Sequence, residues 1–359
     1  MKIEKRYTKT FDFTDTILSA TLSQKDEVIM VLSNGDVVRH NTDTNETDII
    51  STLKDSIGYT DGGFDFTSPI SIYTLDEIIV VVNDYKRHAY VFNLKHNYRL
   101  NLFRGEYYAK ITQYPIALYK EEQQVPHLIY AADWNHVQIL NLDTRQILTA
   151  AKSLIEQGAE EDHIEFYKTH EEHNKLTWPS SYDYFYGKLS VSPDNKYFTS
   201  AGWVWGSADY CNAYAIADFI ENNRILDINI AAGEHLNRQV CWVNKNTIAV
   251  EYDPYEEGEE ETTKDTLKEI HLYQIVDNTS ALIEKIQIQQ KNIKYKQMYF
   301  DTTLNSFVLL GESGEISVVS ISGEILVQND SIKASMYNPT THQLLAYSDN
   351  TITTAILSE

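Results

Sequence analysis

Few residue groups in this sequence have the spacing that catalysis or metal binding requires. His170 and His173 enclose two glutamates, but this i, i+3 spacing differs from the i, i+4 spacing of helical H-E-x-x-H zinc sites. The sequence contains no G-x-S-x-G nucleophile elbow, no P-loop and no dinucleotide-binding fingerprint. Cys211 and Cys241 lie in separate strand-like segments, which favours buried reduced thiols over a zinc pair or a disulfide. We therefore expect neither a metal nor a cofactor.

Aromatic side chains are concentrated in the long insertions between strand-like segments. We predict that eight of them contact a partner, because Tyr and Trp supply rigid anchors at interfaces. These residues are Tyr59, Tyr107, Tyr108, Trp178, Tyr182, Trp203, Trp205 and Tyr255. The alternative is that the rings pack the insertions onto the body of the fold.

One insertion is also strongly acidic. The segment Glu251–Glu261 contains seven carboxylates and no basic residue. Within it we predict partner binding by Glu256, Glu257, Glu259, Glu260 and Glu261. A solvated hairpin tip would have the same composition, whereas a binding role predicts association that slows as salt rises.

The overall charge restricts the classes of partner. The chain has 52 acidic and 30 basic residues, and its formal charge of −22 repels phosphate backbones and anionic lipid surfaces. We expect no nucleic acid and no membrane partner, and a basic protein partner is favoured, although acidity that only confers solubility is an alternative. Residues 1–13 lack the apolar stretch of a secretory signal, so we expect a cytoplasmic location.

Short β-type segments separated by turn residues recur along nearly the whole chain. They predict an all-β fold, a seven-bladed β-propeller of four-stranded antiparallel blades in one domain, residues 1–359, although six or eight blades would also fit. The predicted blades span Ile17–Leu53, Pro69–Phe103, Pro115–Ala151, Tyr186–Ile230, Gln239–Ile288, Gln297–Gln328 and Ala334–Leu357. In blade 3 the fourth strand is predicted at Gln146–Ala151.

The last repeat is one strand short. A bare third strand would leave a row of backbone N–H and C=O groups unpaired. The segment Ile3–Phe11 can supply the missing strand and close the ring beside Thr351–Leu357.

One hairpin carries a resemblance to a known family. The segment SVSPDNKYFTSAGW, Ser190–Trp203, is similar to the hairpin that the first two strands of a blade form in WD-repeat-like β-propellers. The Gly-His and Trp-Asp signatures of that family are absent from every repeat. The resemblance therefore implies the propeller fold but not the hydrogen-bond networks typical of the family.

Loop lengths predict which face of the propeller binds. Within a blade, the turns between strands one and two and between three and four emerge on one face, here called the lower face, and they are short. The other connections emerge on the upper face, where we expect a binding site, since connections beyond about 12–15 residues are uncommon unless functional or disordered. The long ones are Lys54–Ser68, Arg104–Tyr114, Lys152–Phe185, Gly202–Tyr210 and Asp253–Leu267. Those at 152–185, between blades 3 and 4, and at 253–267, an acidic hairpin in blade 5, are the principal insertions.

These observations favour a non-enzymatic protein-interaction module that presents an aromatic and acidic loop face. The alternative is a hydrolase or lyase at the mouth of the central channel, acting on a small sugar or lactone with residues such as Asp183, Asp209 and His235. A third possibility is a structural subunit whose upper face is an oligomer contact.

Overall fold

The computed structural model describes residues 1–24, 26–53, 63–121, 124–169, 181–206, 208–233, 238–252, 267–291 and 293–359. In them, seven antiparallel sheets form a ring, which confirms the seven-bladed β-propeller. The chain begins with β1 (Lys2–Thr10). Blade 1 contains β2 (Ile17–Leu22), β3 (Glu27–Leu32), β4 (Asp36–Asn41) and β5 (Thr47–Thr52), and blade 2 contains β6 (Ile70–Leu75), β7 (Ile78–Asn83), β8 (His88–Asn93) and β9 (Tyr98–Phe103).

The remaining elements follow in the same order. Blade 3 contains β10 (Ile116–Lys120), β11 (Pro126–Asp133) and β12 (His136–Asn141), followed by α1 (Ala159–Thr169). Blade 4 contains β13 (Phe185–Val191), β14 (Tyr197–Val204), β15 (Ala208–Ala215), α2 (Ile216–Glu221) and β16 (Ile228–Gly233). Blade 5 contains β17 (Val240–Trp242), β18 (Thr247–Tyr252), β19 (Glu269–Val276) and β20 (Thr279–Gln287). Blade 6 contains β21 (Gln297–Asp301), β22 (Ser306–Leu310), β23 (Ile316–Ser320) and β24 (Ile325–Asn329), and blade 7 contains β25 (Met336–Asn338), β26 (Gln343–Ser348) and β27 (Thr351–Ser358).

The blades pack face to face through apolar strands. The β-branched strand β7 is buried along its whole length, because blades 1 and 3 cover its two faces. The outermost strands, such as β20, alternate or expose their side chains. The innermost strand of each blade lines the central channel.

The ring closes as the sequence predicts. Strand β1 pairs antiparallel with β27 from Lys2 opposite Ser358 to Thr10 opposite Thr351. The Tyr7 hydroxyl also lies 2.8 Å from His40 Nε2 in blade 1. The added strand therefore completes blade 7 and contacts the neighbouring blade.

Blade 3 departs from the prediction. A fourth strand at Gln146–Ala151 is wrong, since the described residues form only a single bridge between Leu140 and Ile147 followed by a turn. The Thr149 hydroxyl accepts a hydrogen bond from the Ile139 amide, so a side chain satisfies a group that a strand would have paired. As a result, the chain does not return to the upper face at this point.

The insertion at 152–185 consequently begins elsewhere than expected. The Lys152 ammonium donates to the carbonyl oxygens of Phe219 and Asn222, both at 2.8 Å, and burial lowers the pKa of Lys152 to about 8. Glu160 of α1 pairs with Arg224. Residues 152–160 therefore pack against the connection that includes α2, between the third and fourth strands of blade 4, and not on the upper face. The predicted loop Gly202–Tyr210 is also mostly strand. Strands β14 and β15 pair as far as Val204 opposite Ala208, and a tight turn that includes Trp205 and Gly206 joins them.

Candidate functional site

Six aromatic rings meet on the upper face between blades 2, 3 and 4, and we call this group the aromatic patch. Its members are Tyr107, Tyr108, Trp134, Phe185, Trp203 and Trp205. Phe185 lies at its centre, stacked on Trp203 with ring centroids 3.8 Å apart and planes 6° from parallel. Trp134 lies 4.3 Å from Phe185 on another side, and Tyr108 contacts both Phe185 and Trp203 edge-on. Such contacts add to the stability that burial itself provides.

The patch has a buried floor and an exposed top. Phe185 and Trp203 are buried, and the Trp203 indole N–H donates to the Thr112 hydroxyl at 3.0 Å. Tyr107 is 48% exposed and Trp205 is 47% exposed, and Tyr108 is exposed beside them. The exposed rings thus pack on rings that are themselves buried.

A buried arginine holds the loop that carries two of the exposed rings. The Arg104 guanidinium donates to the carbonyl oxygens of Lys86 at 2.7 Å, Ala109 at 2.9 Å and Thr112 at 2.8 Å. Burial lowers the pKa of Arg104 to about 10. Because carbonyl groups from two connections, 84–86 and 109–112, converge on one side chain, Tyr108 can keep a left-handed backbone conformation with φ of 53°.

A polar cavity of about 260 Å³ adjoins the patch at the mouth of the central channel. Its walls come from blades 2 and 4 and from the connections that flank blades 3 and 5. Residues that line it include Tyr85, Ile111, Lys188, Trp203, Asp209 and Arg238. Trp203 thus belongs both to the floor of the patch and to the wall of the cavity.

The predicted site residues fall into three groups. Tyr107, Tyr108, Trp203 and Trp205 are brought together in the patch. Tyr182 is not among them: it is buried between blades 3 and 4, where its hydroxyl lies 2.9 Å from that of Tyr214 and 2.8 Å from Asp227 Oδ2.

The third group lies outside the described residues. It comprises Tyr59, Trp178, Tyr255, Glu256, Glu257, Glu259, Glu260 and Glu261, together with His170, His173 and His235. Of the candidate catalytic carboxylates, Asp183 is exposed and Asp209 is buried in the cavity wall.

Two residues of this site were missed at the level of sequence. Trp134 occupies the tight turn between β11 and β12, which emerges on the upper face. Loop length does not indicate a site there, because the connection is short. Lys188 is the one charged residue of the innermost strand β13, and a charge at such a position is a signal that the sequence does contain. Both residues lie in or between the strands of a blade and not in a long insertion.

The described residues contain no group of three or more His, Cys, Asp or Glu side chains that could hold a metal ion. In the same part of the chain, none of the helices has the length and apolarity that crossing a membrane would need.

The chain is a seven-bladed β-propeller with an exposed aromatic patch and a polar cavity on its upper face. Comparison with models of known protein families gives no match, and no curated protein sequence matches the chain significantly.

Proposed function

We propose that this protein is a non-enzymatic interaction module that binds a basic protein partner through the aromatic patch. The observation that carries the proposal is the pair of large rings, Tyr107 and Trp205, that are about half exposed at the top of an otherwise packed cluster. Large exposed aromatic groups on a rigid scaffold are typical anchors of protein interfaces.

The patch is preorganised for binding. Phe185 and Trp203 fix the exposed rings from below, and Arg104 fixes the loop of Tyr107 and Tyr108. A partner would therefore lose little free energy to ordering these side chains. Ile111, which is 50% exposed, extends the apolar surface toward the cavity.

The charge of the chain favours a basic partner. A net charge of −22 attracts cationic proteins over long range, and the exposed rings can accept Lys or Arg side chains on their faces. The predicted acidic residues Glu256–Glu261 would add to this steering. The same charge disfavours nucleic acid and membrane surfaces, and a cytoplasmic location is part of the proposal.

The resemblance of the hairpin Ser190–Trp203 to WD-repeat-like propellers is compatible with this function, since propellers serve as interaction scaffolds as well as enzymes. Relationship to that family is itself a proposal.

The test compares two variants. Tyr107→Ala/Trp205→Ala removes the exposed anchors, and Ile49→Ala removes an exposed apolar side chain on the outer strand β5 as a control. Partners captured from native lysate are identified, purified and titrated at low and high salt. Burying the exposed half of an indole is worth about 2–3 kcal/mol, so the loss of Trp205 alone should weaken Kd by about 30- to 150-fold.

Specific outcomes would contradict the proposal. Unchanged affinity of the double variant would remove the patch from the interface, and affinity independent of salt would remove the electrostatic part. Self-association of the wild type that the double variant abolishes would indicate an oligomer contact in place of a separate partner.

The cavity favours a second candidate, a channel-mouth hydrolase or lyase for a small sugar or lactone. Among the described residues that line it, Asp209 is the one carboxylate, whereas glycoside hydrolysis generally uses two. Turnover of aryl glycosides or lactones that Asp209→Asn abolishes would establish this alternative.

A further inference from the structure

An irregularity in the innermost strand of blade 4 aims a lysine into the channel mouth. Phe185 pairs with Trp203, but the next pair is Lys188 with Ala201, so Tyr186 and Gly187 together face the single residue Gly202. This arrangement is a β-bulge, a feature that redirects side chains and is frequent beside functional sites. Glycine is required at 187, because a Cβ there would lie 1.9 Å from the Ala201 carbonyl oxygen.

The redirected lysine, Lys188, forms no hydrogen bond and no ion pair with any residue that the structure describes. Water can reach its side chain, yet the surrounding channel walls lower the pKa of Lys188 by desolvation. Its electrostatic neighbours are the Cys241 thiol and the Asp84 carboxyl group.

The carboxyl group that acts on Lys188 electrostatically is already hydrogen-bonded. Asp84 is buried, accepts hydrogen bonds from the Ser71 hydroxyl at 2.7 Å and the Gln113 amide at 3.1 Å, and has a pKa raised by burial. Asp84 thus acts on Lys188 at a distance, without an ion pair between the two side chains.

The walls of the cavity are cationic in a protein that is otherwise acidic. Among the described residues, Lys188, Arg238 and Lys296 line it together with one acidic residue, Asp209. A cluster of cations around a cavity, with one ammonium that pairs with none of the described residues, is suited to an anion. The field of a chain with charge −22 opposes a polyanion, which favours a ligand with one or two charges.

The size of the cavity restricts the ligand further. A volume of about 260 Å³ equals roughly nine water molecules, below the range of pockets for drug-sized ligands. The wall also includes the apolar faces of Ile111 and Trp203, which can pack against a short carbon chain. We propose that this cavity is a binding site for a small carboxylate, with Lys188 as its ionic anchor. This inference does not depend on the proposed partner of the aromatic patch.

Acetate, succinate and capped glutamate are the probes, with acetamide and succinamide as uncharged controls, and binding is measured by calorimetry. Capped glutamate represents a carboxylate on a protein side chain, whereas acetate and succinate represent free small carboxylates, so their relative affinities distinguish the two sources. Lys188→Met removes the charge with little change of shape, and Lys188→Arg keeps it. Lys245→Met, in the lower-face turn before β18, is the matched control.

A second measurement does not depend on how the variants fold. Wild-type protein is acylated with a lysine-selective reagent, and modification of each lysine is followed by mass spectrometry with and without succinate. We expect succinate to protect Lys188 and not Lys245.

We expect a carboxylate to bind wild type, to bind Lys188→Met at least about tenfold more weakly, and to bind Lys245→Met unchanged. Tyr107→Ala/Trp205→Ala should retain carboxylate binding, which separates this test from that of the interaction module. Equal binding of amides and carboxylates, equal affinity in Lys188→Met, or binding of inorganic phosphate alone would overturn the proposal.

Discussion

Asp301 connects blades 6 and 7, and its replacement by Asn tests how the ring is held at this junction. The side chain is fully buried at the end of β21. Oδ2 accepts hydrogen bonds from the Tyr337 hydroxyl of β25 and from His342 Nδ1 at 2.6 Å. Oδ1 accepts the backbone N–H groups of Thr303 and Leu304, each at 2.9 Å. One carboxylate thus joins a turn of blade 6 to two side chains of blade 7.

The magnitude follows from the two contacts that the substitution alters. In Asp301→Asn the amide oxygen can still accept from the turn, so the change falls on the bonds to Tyr337 and His342. A hydrogen bond to a charged group contributes about 1 kcal/mol more than a neutral one, so the two altered bonds give a loss of about 2 kcal/mol in the free energy of unfolding. For 359 residues this corresponds to a decrease of about 3 °C in Tm.

The pH dependence has a defined sign. Burial alone would raise the pKa of Asp301, but the hydrogen bonds from Tyr337, the Leu304 amide and His342 together lower it. Because the folded pKa lies below the unfolded value of about 3.9, the stabilisation is fully present above that value and is lost as pH falls through the folded pKa. The difference between wild type and variant should therefore be constant near neutrality and decrease in acid.

Urea unfolding at neutral and acidic pH measures this difference, with the exposed Asp330→Asn as the matched control. A variant as stable as wild type at neutral pH would refute the assignment of Asp301 as the link between the blades. A difference that grows in acid would refute the sign of the linkage.

Three further results are expected. Trp203→Ala should lower the free energy of unfolding by about 3–5 kcal/mol, measured in urea, because it leaves Phe185 without its stacking partner; a loss below about 1 kcal/mol would mean that the patch is loosely packed. Cys211 and Cys241 should resist thiol reagents in the native state at pH 8 and react on unfolding, since burial raises the pKa of each thiol to about 12; rapid native labelling would contradict their burial. Deletion of residues 1–10 should lower Tm and cause aggregation seen by size-exclusion chromatography, because it exposes the edge of β27; a stable monomer would show that closure is dispensable.

The fold was accessible from the sequence because local signals and burial agree in most blades. Continuous β-branched runs such as β7 and turns such as Asn34-Gly35 specify strands and their order without reference to distant residues. In blade 3, however, the segment Gln146–Ala151 has strand-like composition, and its structure depends on tertiary contacts made through Thr149. Strand propensity alone cannot predict that these contacts replace a fourth strand.

The site was only partly accessible for a related reason. Tyr107 and Trp205 were identified by residue type and loop position, but the division into exposed and buried rings depends on packing across three blades. Lys188 owes its direction to a two-residue bulge, and a shift of one residue in register reverses which way a side chain points.

The pairing of β1 with β27 joins residues separated by almost the whole chain. During synthesis β1 is made well before β27, so the two strands cannot pair until the blades that lie between them have been translated. Its sequence, KIEKRYTKT, carries charges that disfavour pairing with the strand edges of other chains while β1 is still unpaired. The charges of β1 therefore oppose aggregation of the nascent chain, and the same nine residues later close the folded ring by pairing with β27.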